Sequence, residues 1–273
     1  MSFRISAIIP DLAGASLAFR HMILQRQQYI KMATQATNRL HQFLIAIFPE
    51  AEAKYFSTML RILPSYPTPD DILNSGGLRG IKYINHDNKE AIIKLAANTV
   101  GAPSRPYREL IADLSWQREK AKARVAYIDD IIAKEVKKHP YGEILFSFPW
   151  FGAVAAATII GIINDIGRWP DKNKLKKALG VYCTVKQSGM SPGKGIRGKE
   201  GSRHGNRVLF QVVLRLIQDR APDNDFKDYY IRQVARGKPR LKAIFSTMGK
   251  LAEIIYYCLK NGELYQYQGT YRH

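Results

Sequence analysis

The sequence predicts a mainly α-helical fold, in which two long helices precede a domain of shorter ones. Apolar residues recur at steps of three and four over two long stretches, which is the spacing of helices that pack on other helices. Residues that typically start and stop helices frame several shorter apolar stripes. No alternating strand pattern runs for more than a few residues. These observations together favour a helical chain.

The first long helix is predicted from Phe19 and ends before Pro49. Its apolar seam consists of Phe19, Ile23, Arg26, Ile30, Ala33, Thr37, Leu40, Leu44 and Ile47. A second, charged helix is predicted from about Pro106 to Lys138, with a seam through Leu114, Ala121, Val125, Ile128 and Ile132. The two seams predict an antiparallel coiled coil. A seam does not identify its partner, so both packing within one chain and dimerisation fit the pattern.

The chain is predicted to divide at residues 141 and 142. Residues 1–141 form a coiled-coil linker region with a helical insertion at about residues 50–106, where Thr68 and Pro69 mark a helix start. Residues 142–273 form a second domain with helices at about 153–163, 170–179, 207–220, 226–236 and 239–261, and Asn206 is the predicted cap of the third. The helix at 153–163 is rich in Gly and Ala, which fits either close packing in a core or presentation of backbone N–H groups to a phosphate.

The charge of the chain indicates a polyanionic partner. There are 42 Lys and Arg residues against 23 Asp and Glu, giving a net charge of +19 and a pI near 9.9. Residues 168–250 hold 20 of the basic residues and 6 of the acidic ones, so most of the excess lies there. Nucleic acid is therefore expected as a partner ahead of an anionic membrane.

Cysteine use and hydropathy indicate the compartment. The two cysteines, Cys183 and Cys258, have no paired spacing, which argues against a disulfide framework or a thiolate zinc site. The longest apolar run, residues 151–163, is too short to span a bilayer, and the first residues lack the pattern of a signal peptide. We therefore expect a soluble cytoplasmic protein with no membrane partner.

A serine lies in a segment that is otherwise rich in glycine and positive charge, residues 186–199. Glycines allow close approach to a polyanion, and Lys and Arg neutralise it. A hydroxyl among such cations suits a phosphoryl-transfer nucleophile, so Ser188 is the candidate, with Ser191 as its competitor. The segment is not a nucleotide-triphosphate loop, because Glu200 stands where Ser or Thr would hold magnesium. The histidines and acids show no metal-ligand spacing, so no metal or cofactor is expected in this chain.

Four stretches of the second domain resemble, in order, the C-terminal domain of the insertion-sequence 110 transposase family, also known as the 116/110/902 group. The stretch at 148–168 resembles the helix-hairpin-helix segment with which that domain begins, although Trp150 stands where the family usually has glycine. Residues 179–189 resemble its serine segment, residues 199–209 its basic glycine-asparagine stretch, and residues 235–262 its closing helices. Residues 26–50 resemble the coiled-coil region that links the family's two catalytic domains.

This resemblance implies DNA strand exchange in which a serine attacks a phosphodiester. Ser188 corresponds to the nucleophile. The residues expected to hold DNA or RNA are Lys186, Lys194, Arg197, Lys199, Arg203, His204, Arg207, Lys238 and Arg240. The family's N-terminal RNase-H-like domain, whose acidic residues bind Mg²⁺, has no counterpart in this sequence. Mg²⁺ is therefore expected only through such a domain supplied in trans.

The sequence thus predicts a DNA-binding transposase of a mobile element, with a guide RNA and a second copy of the chain as further partners. We expect it in a prokaryotic cytosol, associated with the nucleoid, and inactive as an isolated chain. One alternative is a non-catalytic nucleic-acid-binding remnant of a transposase. Another is a coiled-coil assembly protein whose basic part binds nucleic acid weakly.

Overall fold

A computed structural model describes residues 12–102, 104–185, 195–197 and 200–269 of the chain. For residues 183–185 and 195–197 it describes the backbone alone. The predicted mainly helical fold is confirmed. None of the described helices is long and apolar enough to cross a membrane.

Long helices begin the chain and shorter ones follow. The helices are α1 (Leu12–Ile47), α2 (Pro49–Ile62), α3 (Pro69–Leu73), α4 (His86–Ala97), α5 (Arg108–Lys138), α6 (Pro140–Phe146), α7 (Ala153–Ile163) and α8 (Lys172–Ala178). Two short strands follow, β1 (Cys183–Val185) and β2 (Gly195–Arg197), and then α9 (Arg203–Leu216), α10 (Asp225–Ala235) and α11 (Arg240–Asn261). Single 3₁₀ turns occupy Arg105–Tyr107 and Ile166–Arg168.

The described residues fall into two compact units. The first combines residues from Met1–Leu24 with those from Asp129–His273, and the second is Gln25–Ile128. The borders lie within α1 and α5. The ring of Phe19 meets that of His139 at a centroid distance of 5.9 Å, which ties the first turns of α1 to the first unit. The division predicted at residues 141 and 142 stays a prediction.

The second unit has its own core, because one face of each of its helices is apolar. Leu44, Ile62, Ile72, Ile92 and Ile111 come from five different helices and are almost completely buried in one cluster. The insertion predicted at about residues 50–106 is thus helical and packs against α1 and α5 in one core.

The two long helices run side by side within the second unit. The Arg118 guanidinium donates to the Thr37 hydroxyl at 3.1 Å, and the Phe43 and Tyr107 rings meet at 5.5 Å. Residue numbers rise from Thr37 to Phe43 in α1 and fall from Arg118 in α5 to Tyr107 directly before it, so these stretches are antiparallel. Whether they form a coiled coil with a second copy stays a prediction.

The first unit is built around α7. Its Ala156, Ala157, Ile159 and Ile160 are fully buried, and α6 and α9 pack on it. Close packing is therefore the observed role of this small-residue helix, and its predicted contact with phosphate stays a prediction. Helix α11 packs on α8, α9 and α10.

The structure corrects the predicted start of α9. Asn206 is not its cap: the Ser202 hydroxyl accepts from the Gly205 N–H at 3.1 Å, and the helix begins at Arg203. Serine and asparagine are both good caps, and the packing of neighbouring backbone decides between them here. Helix α2 lies within the helical insertion predicted at about residues 50–106, but its own bounds were not predicted, although Pro49 at its start and the acids of its first turn are typical helix-start residues.

Trp150 adopts a backbone conformation that favours glycine. Its φ is 60°, and its side chain is about half exposed in the turn between α6 and α7. A side chain with a Cβ atom costs about 1–2 kcal/mol in this region. The residue that departs from the family pattern therefore lies where glycine would be the easier choice. The helix-hairpin-helix assignment of residues 148–168 stays a prediction.

Candidate nucleic-acid interface

The segment that contains Ser188 is flanked by two paired strands. β1 and β2 are antiparallel, with Cys183 opposite Arg197, Thr184 opposite Ile196 and Val185 opposite Gly195. Ser188 and the rest of residues 186–194 lie outside the described residues. The pairing nevertheless brings the two ends of that segment together at Val185 and Gly195.

The approach to the hairpin is fixed at the end of α8. Gly180 has φ of 72°, its N–H donates to the Lys177 carbonyl at 3.0 Å, and the Val181 N–H donates to the Lys176 carbonyl at 2.9 Å. This pair of bonds is the Schellman ending of a helix, which needs a left-handed residue and therefore favours glycine. The chain consequently leaves α8 in one defined direction toward β1.

The residues that follow β2 bond to the same C-terminal end of α8. The Ser202 N–H donates to the Ala178 carbonyl at 2.7 Å, and the Asn206 side-chain amide donates to the Gly180 carbonyl at 2.6 Å. Gly201 has φ of 94°, and a Cβ atom there would lie 2.1 Å from the Lys177 carbonyl oxygen. We call Gly180, Gly201, Ser202 and Asn206 the hairpin clamp, because they hold both ends of the hairpin together.

Helix α9 presents basic side chains directly after the clamp. Arg203 and Arg207 are one turn apart and exposed, and no Asp or Glu side chain of the described residues lies within salt-bridge distance of either. They therefore stand on one face of the helix near its positive end, where backbone N–H groups also favour an anion. Phosphates are the anions that such a surface suits.

Several other cations of the basic region are already neutralised. Lys172 and Lys176 contact the Glu253 carboxylate at 2.5 and 2.9 Å, and Lys250 lies 3.9 Å from it. Burial works to raise the pKa of Glu253, but the hydrogen bonds from Lys172 and Lys176, with the positive charges of Lys176 and Lys250, outweigh it and hold the pKa below its usual value. This cluster joins α8 to α11, so its lysines serve the fold first.

A further ion pair lies beside the clamp. The Lys177 ammonium is 2.6 Å from the Glu200 carboxylate, and both side chains are largely exposed. An exposed pair of this kind contributes little to stability and can open readily. Lys177 can therefore exchange Glu200 for a phosphate, whereas Lys176 is held by Glu253.

The remaining predicted residues are distributed as follows. Lys186, Lys194 and Lys199 lie outside the described residues, and for Arg197 the backbone alone is described, in β2. Arg240 is exposed at the first position of α11.

Lys238 has partners inside the fold. Its ammonium donates to the Gln233 side chain at 2.6 Å and to the Ser246 hydroxyl at 3.0 Å. These bonds connect the end of α10 to α11. A phosphate bound by Lys238 would have to replace them, which sets it apart from the exposed arginines.

His204 is half-buried and faces a pocket that was not expected from the sequence. With Ser202 it lines one side, and side chains of α1 and α7 line the others. Arg20 and His21 reach this pocket from α1, 180 residues away along the chain, so no local motif could have grouped them with His204. The described residues hold no group of three or more His, Cys, Asp or Glu side chains that could bind a metal ion.

Comparisons with known proteins point to mobile elements. Residues 142–231 match the family model described as Transposase IS116/IS110/IS902 family, and this match includes β1, β2 and α9. The chain is 23% identical over 253 residues to the insertion element IS110 uncharacterized 43.6 kDa protein of Streptomyces coelicolor, covering 86% of this chain and 60% of that protein.

It is also 22% identical over 216 residues to the insertion element IS900 uncharacterized 42 kDa protein of Mycobacterium paratuberculosis, covering 76% of this chain and 53% of that one. The chain thus spans little more than half the length of these relatives. The matches support the transposase family that the sequence resembles.

Proposed function

We propose that this chain binds the DNA of a mobile element and contributes Ser188 as the nucleophile of strand exchange. The observation that carries the proposal is the pairing of β1 with β2 within the segment matched by the transposase family. The pairing brings the two ends of the serine segment together, and the clamp sets the hairpin directly before Arg203. A nucleophile for phosphoryl transfer needs cations and backbone donors around the phosphate, and this surface supplies exposed arginines.

The proposed reaction is a pair of transesterifications. The Ser188 hydroxyl oxygen attacks the phosphorus of a DNA phosphodiester, an O–P bond forms, and the bond from phosphorus to one deoxyribose oxygen breaks. The proton of the serine leaves to a base, and the departing sugar oxygen gains one. In the second step a hydroxyl of another strand attacks the phosphoserine and releases Ser188. The energy of the phosphodiester is kept in the covalent link, so no external energy source is consumed.

The basic residues have two roles in this proposal. Lys186, Lys194, Arg197 and Lys199 lie in the sequence segment that contains Ser188, residues 186–199, and would neutralise the phosphate under attack. Arg203, His204, Arg207 and Arg240 follow it and would hold neighbouring phosphates, which fixes the strand without reading its sequence. Lys238 can join them only by giving up its contacts within the fold.

Other partners of the reaction are proposals of the same kind. An acidic RNase-H-like domain in trans would bring Mg²⁺, whose chemistry is to stabilise the negative charge that develops on the phosphate. The described residues offer no ligand cluster for that ion, so the side chains that hold it would come from the added domain. A guide RNA would choose the target, a second copy of the chain would pair through α1 and α5, and the complex would work at the nucleoid of a prokaryotic cytosol.

The test is a covalent trapping experiment. A DNA substrate with a nick near the exchange point lets the leaving fragment diffuse away, so a phosphoserine link accumulates and migrates with the protein on a denaturing gel. The chain is assayed alone and with the acidic domain of a family member added. We expect an adduct only with the added domain, and we expect Ser188→Ala to abolish it while leaving DNA affinity within about twofold.

Ser191→Ala is the matched control, since it removes a hydroxyl from the same segment. An adduct that persists in Ser188→Ala and disappears in Ser191→Ala would move the nucleophile to Ser191. If the intact chain forms no adduct even with the added domain and DNA still binds, the chain is a non-catalytic remnant. Weak binding that high salt abolishes, without preference among DNA forms, would favour the assembly protein instead.

A further inference from the structure

The pocket beside the hairpin clamp has walls from three helices of the first unit. Its volume is about 340 Å³. Ile23 of α1 with Ala157, Thr158 and Gly161 of α7 form a buried floor, and these small α7 side chains leave the space open. The Thr158 hydroxyl is occupied, since it donates to the Val154 carbonyl at 2.7 Å. The floor therefore offers an apolar surface.

The walls of the pocket are apolar and exposed. Leu17 and Leu24 of α1 lie two turns apart, and each is 51% exposed. Ile162 of α7 faces them. Helices α1 and α7 approach closely here because Gly161 has no side chain: a Cβ atom at this position would lie 3.1 Å from Arg20 Cγ. The result is a slot with sides of aliphatic carbon.

The rim of the slot is basic. Arg20, His21 and His204 line it together with Ser202, and none of the residues that line the pocket is an Asp or Glu. An apolar slot with a cationic rim is complementary to a flat, uncharged ring attached to an anionic group. A nucleotide has that form: its base fits an apolar slot and its phosphate carries the charge.

The position of the slot indicates which nucleotide it would take. Ser202 belongs both to the pocket and to the clamp that holds the serine hairpin. If Ser188 exchanges DNA strands, the strands must separate near it, and bases near the exchange point lose their partners. A base within a duplex cannot enter a slot, whereas an unstacked one can.

We propose that this pocket binds one unpaired nucleotide of the DNA strand on which Ser188 acts. The base lies between Leu17, Leu24 and Ile162, and the adjoining phosphate is held by Arg20 and His204. The inference rests on the proposed function, since it takes DNA as the ligand. It adds a binding site that would hold the strand in position while Ser188 reacts.

The test measures binding and therefore does not need an active enzyme. The probes are short DNA duplexes with a single unpaired 2-aminopurine, an abasic analogue at the same position, and an RNA of the same sequence. The intact chain should bind the unpaired base about 10-fold more tightly than the abasic site, since contacts with one base typically supply such a factor. Removal of 2-aminopurine from its stack changes its fluorescence, which reports entry of the base.

Two variants examine the slot itself. Leu17→Trp fills it, and Leu241→Trp is the control, because Leu241 is similarly exposed at 58% and does not line the pocket. We expect Leu17→Trp to lose the preference for the unpaired base over the abasic site, and Leu241→Trp to keep it. Arg20→Glu should weaken binding of both probes more than Arg220→Glu, which makes the same change of charge outside the pocket.

The outcomes separate this inference from the proposed function. Equal affinity for the unpaired base and the abasic site in the intact chain overturns the pocket assignment, while binding to DNA itself would leave the proposed function standing. Tighter binding of RNA than DNA overturns the choice of strand. Loss of self-association in Leu17→Trp, measured by ultracentrifugation, with no effect on either probe would assign the slot to a second copy of the chain. Absence of any DNA binding overturns both proposals.

Discussion

The hairpin clamp predicts that Gly201 cannot be replaced even by alanine. Two separate costs apply to Gly201→Ala. The residue has φ of 94°, where a side chain costs about 1–2 kcal/mol. The new Cβ atom would also lie 2.1 Å from the Lys177 carbonyl oxygen and 2.9 Å from Gly180 Cα. These are backbone atoms that cannot rotate away, so the clamp must shift, at a further cost of about 1–3 kcal/mol.

Gly237→Ala provides a matched control. Gly237 has φ of 79°, but a Cβ atom there has no heavy atom within 4 Å. It should therefore lose only the conformational part, about 1–2 kcal/mol. We expect Gly201→Ala to lose about 2–5 kcal/mol, and the difference between the two variants isolates the close approach of α8 and α9.

Native-state hydrogen exchange is the appropriate assay, because it measures opening at single amides. The Ser202 N–H, which donates to the Ala178 carbonyl at 2.7 Å, and the Val181 N–H, which donates to Lys176, report the clamp directly. In Gly201→Ala both should exchange faster by at least 10-fold, whereas Gly237→Ala, whose cost falls at the end of α10, should change them much less. If the two variants behave alike at these amides, the clamp does not hold the hairpin as described.

Further predictions concern stability and binding. Burial lowers the pKa of His139 from 6.5 to about 4, so the protein should be fully stable above pH 6.5 and lose up to about 3 kcal/mol as the pH falls from 6.5 to 4. His139→Asn keeps a capping side chain and should flatten this dependence in denaturant titrations at several pH values. Glu253→Gln leaves its lysine partners without a carboxylate and should lower the free energy of unfolding by about 1–2 kcal/mol, which a lower midpoint in thermal unfolding would report. Lys238→Met should reduce stability through loss of its two hydrogen bonds yet change DNA affinity less than Arg207→Met, and the opposite order in a filter-binding assay would restore Lys238 as a DNA contact.

The helices were predictable because their signals are local. The first helix was predicted to end before Pro49, and α1 ends at Ile47. Thr68 caps α3, since its hydroxyl accepts from the Asp71 N–H at 3.2 Å. Such caps and stops depend on residues within one turn. The same locality explains the error at α9, where two good caps lie four residues apart. The choice of Ser202 depends on its contact with Ala178, which is distant in sequence.

The candidate site was only partly predictable for the same reason. A serine among glycines and cations marked the segment of Ser188, and the exposure of Arg203 and Arg207 agrees with the expected basic surface. The strands on either side could not be expected, since three residues are too few to show an alternating pattern. The pocket at His204 needs Arg20 from the start of the chain, and only packing of helices brings them together.

The clamp also allows the segment between α8 and α9 to change its length. Residues 181 and 202 are held by backbone hydrogen bonds to α8 that do not involve the intervening segment. Additions to or deletions from that segment therefore need not disturb the helices on either side, because its two attachment points are already fixed. A laboratory could exchange residues 182–200 for those of another family member as a cassette, and keep the same scaffold while it compares how each version handles DNA.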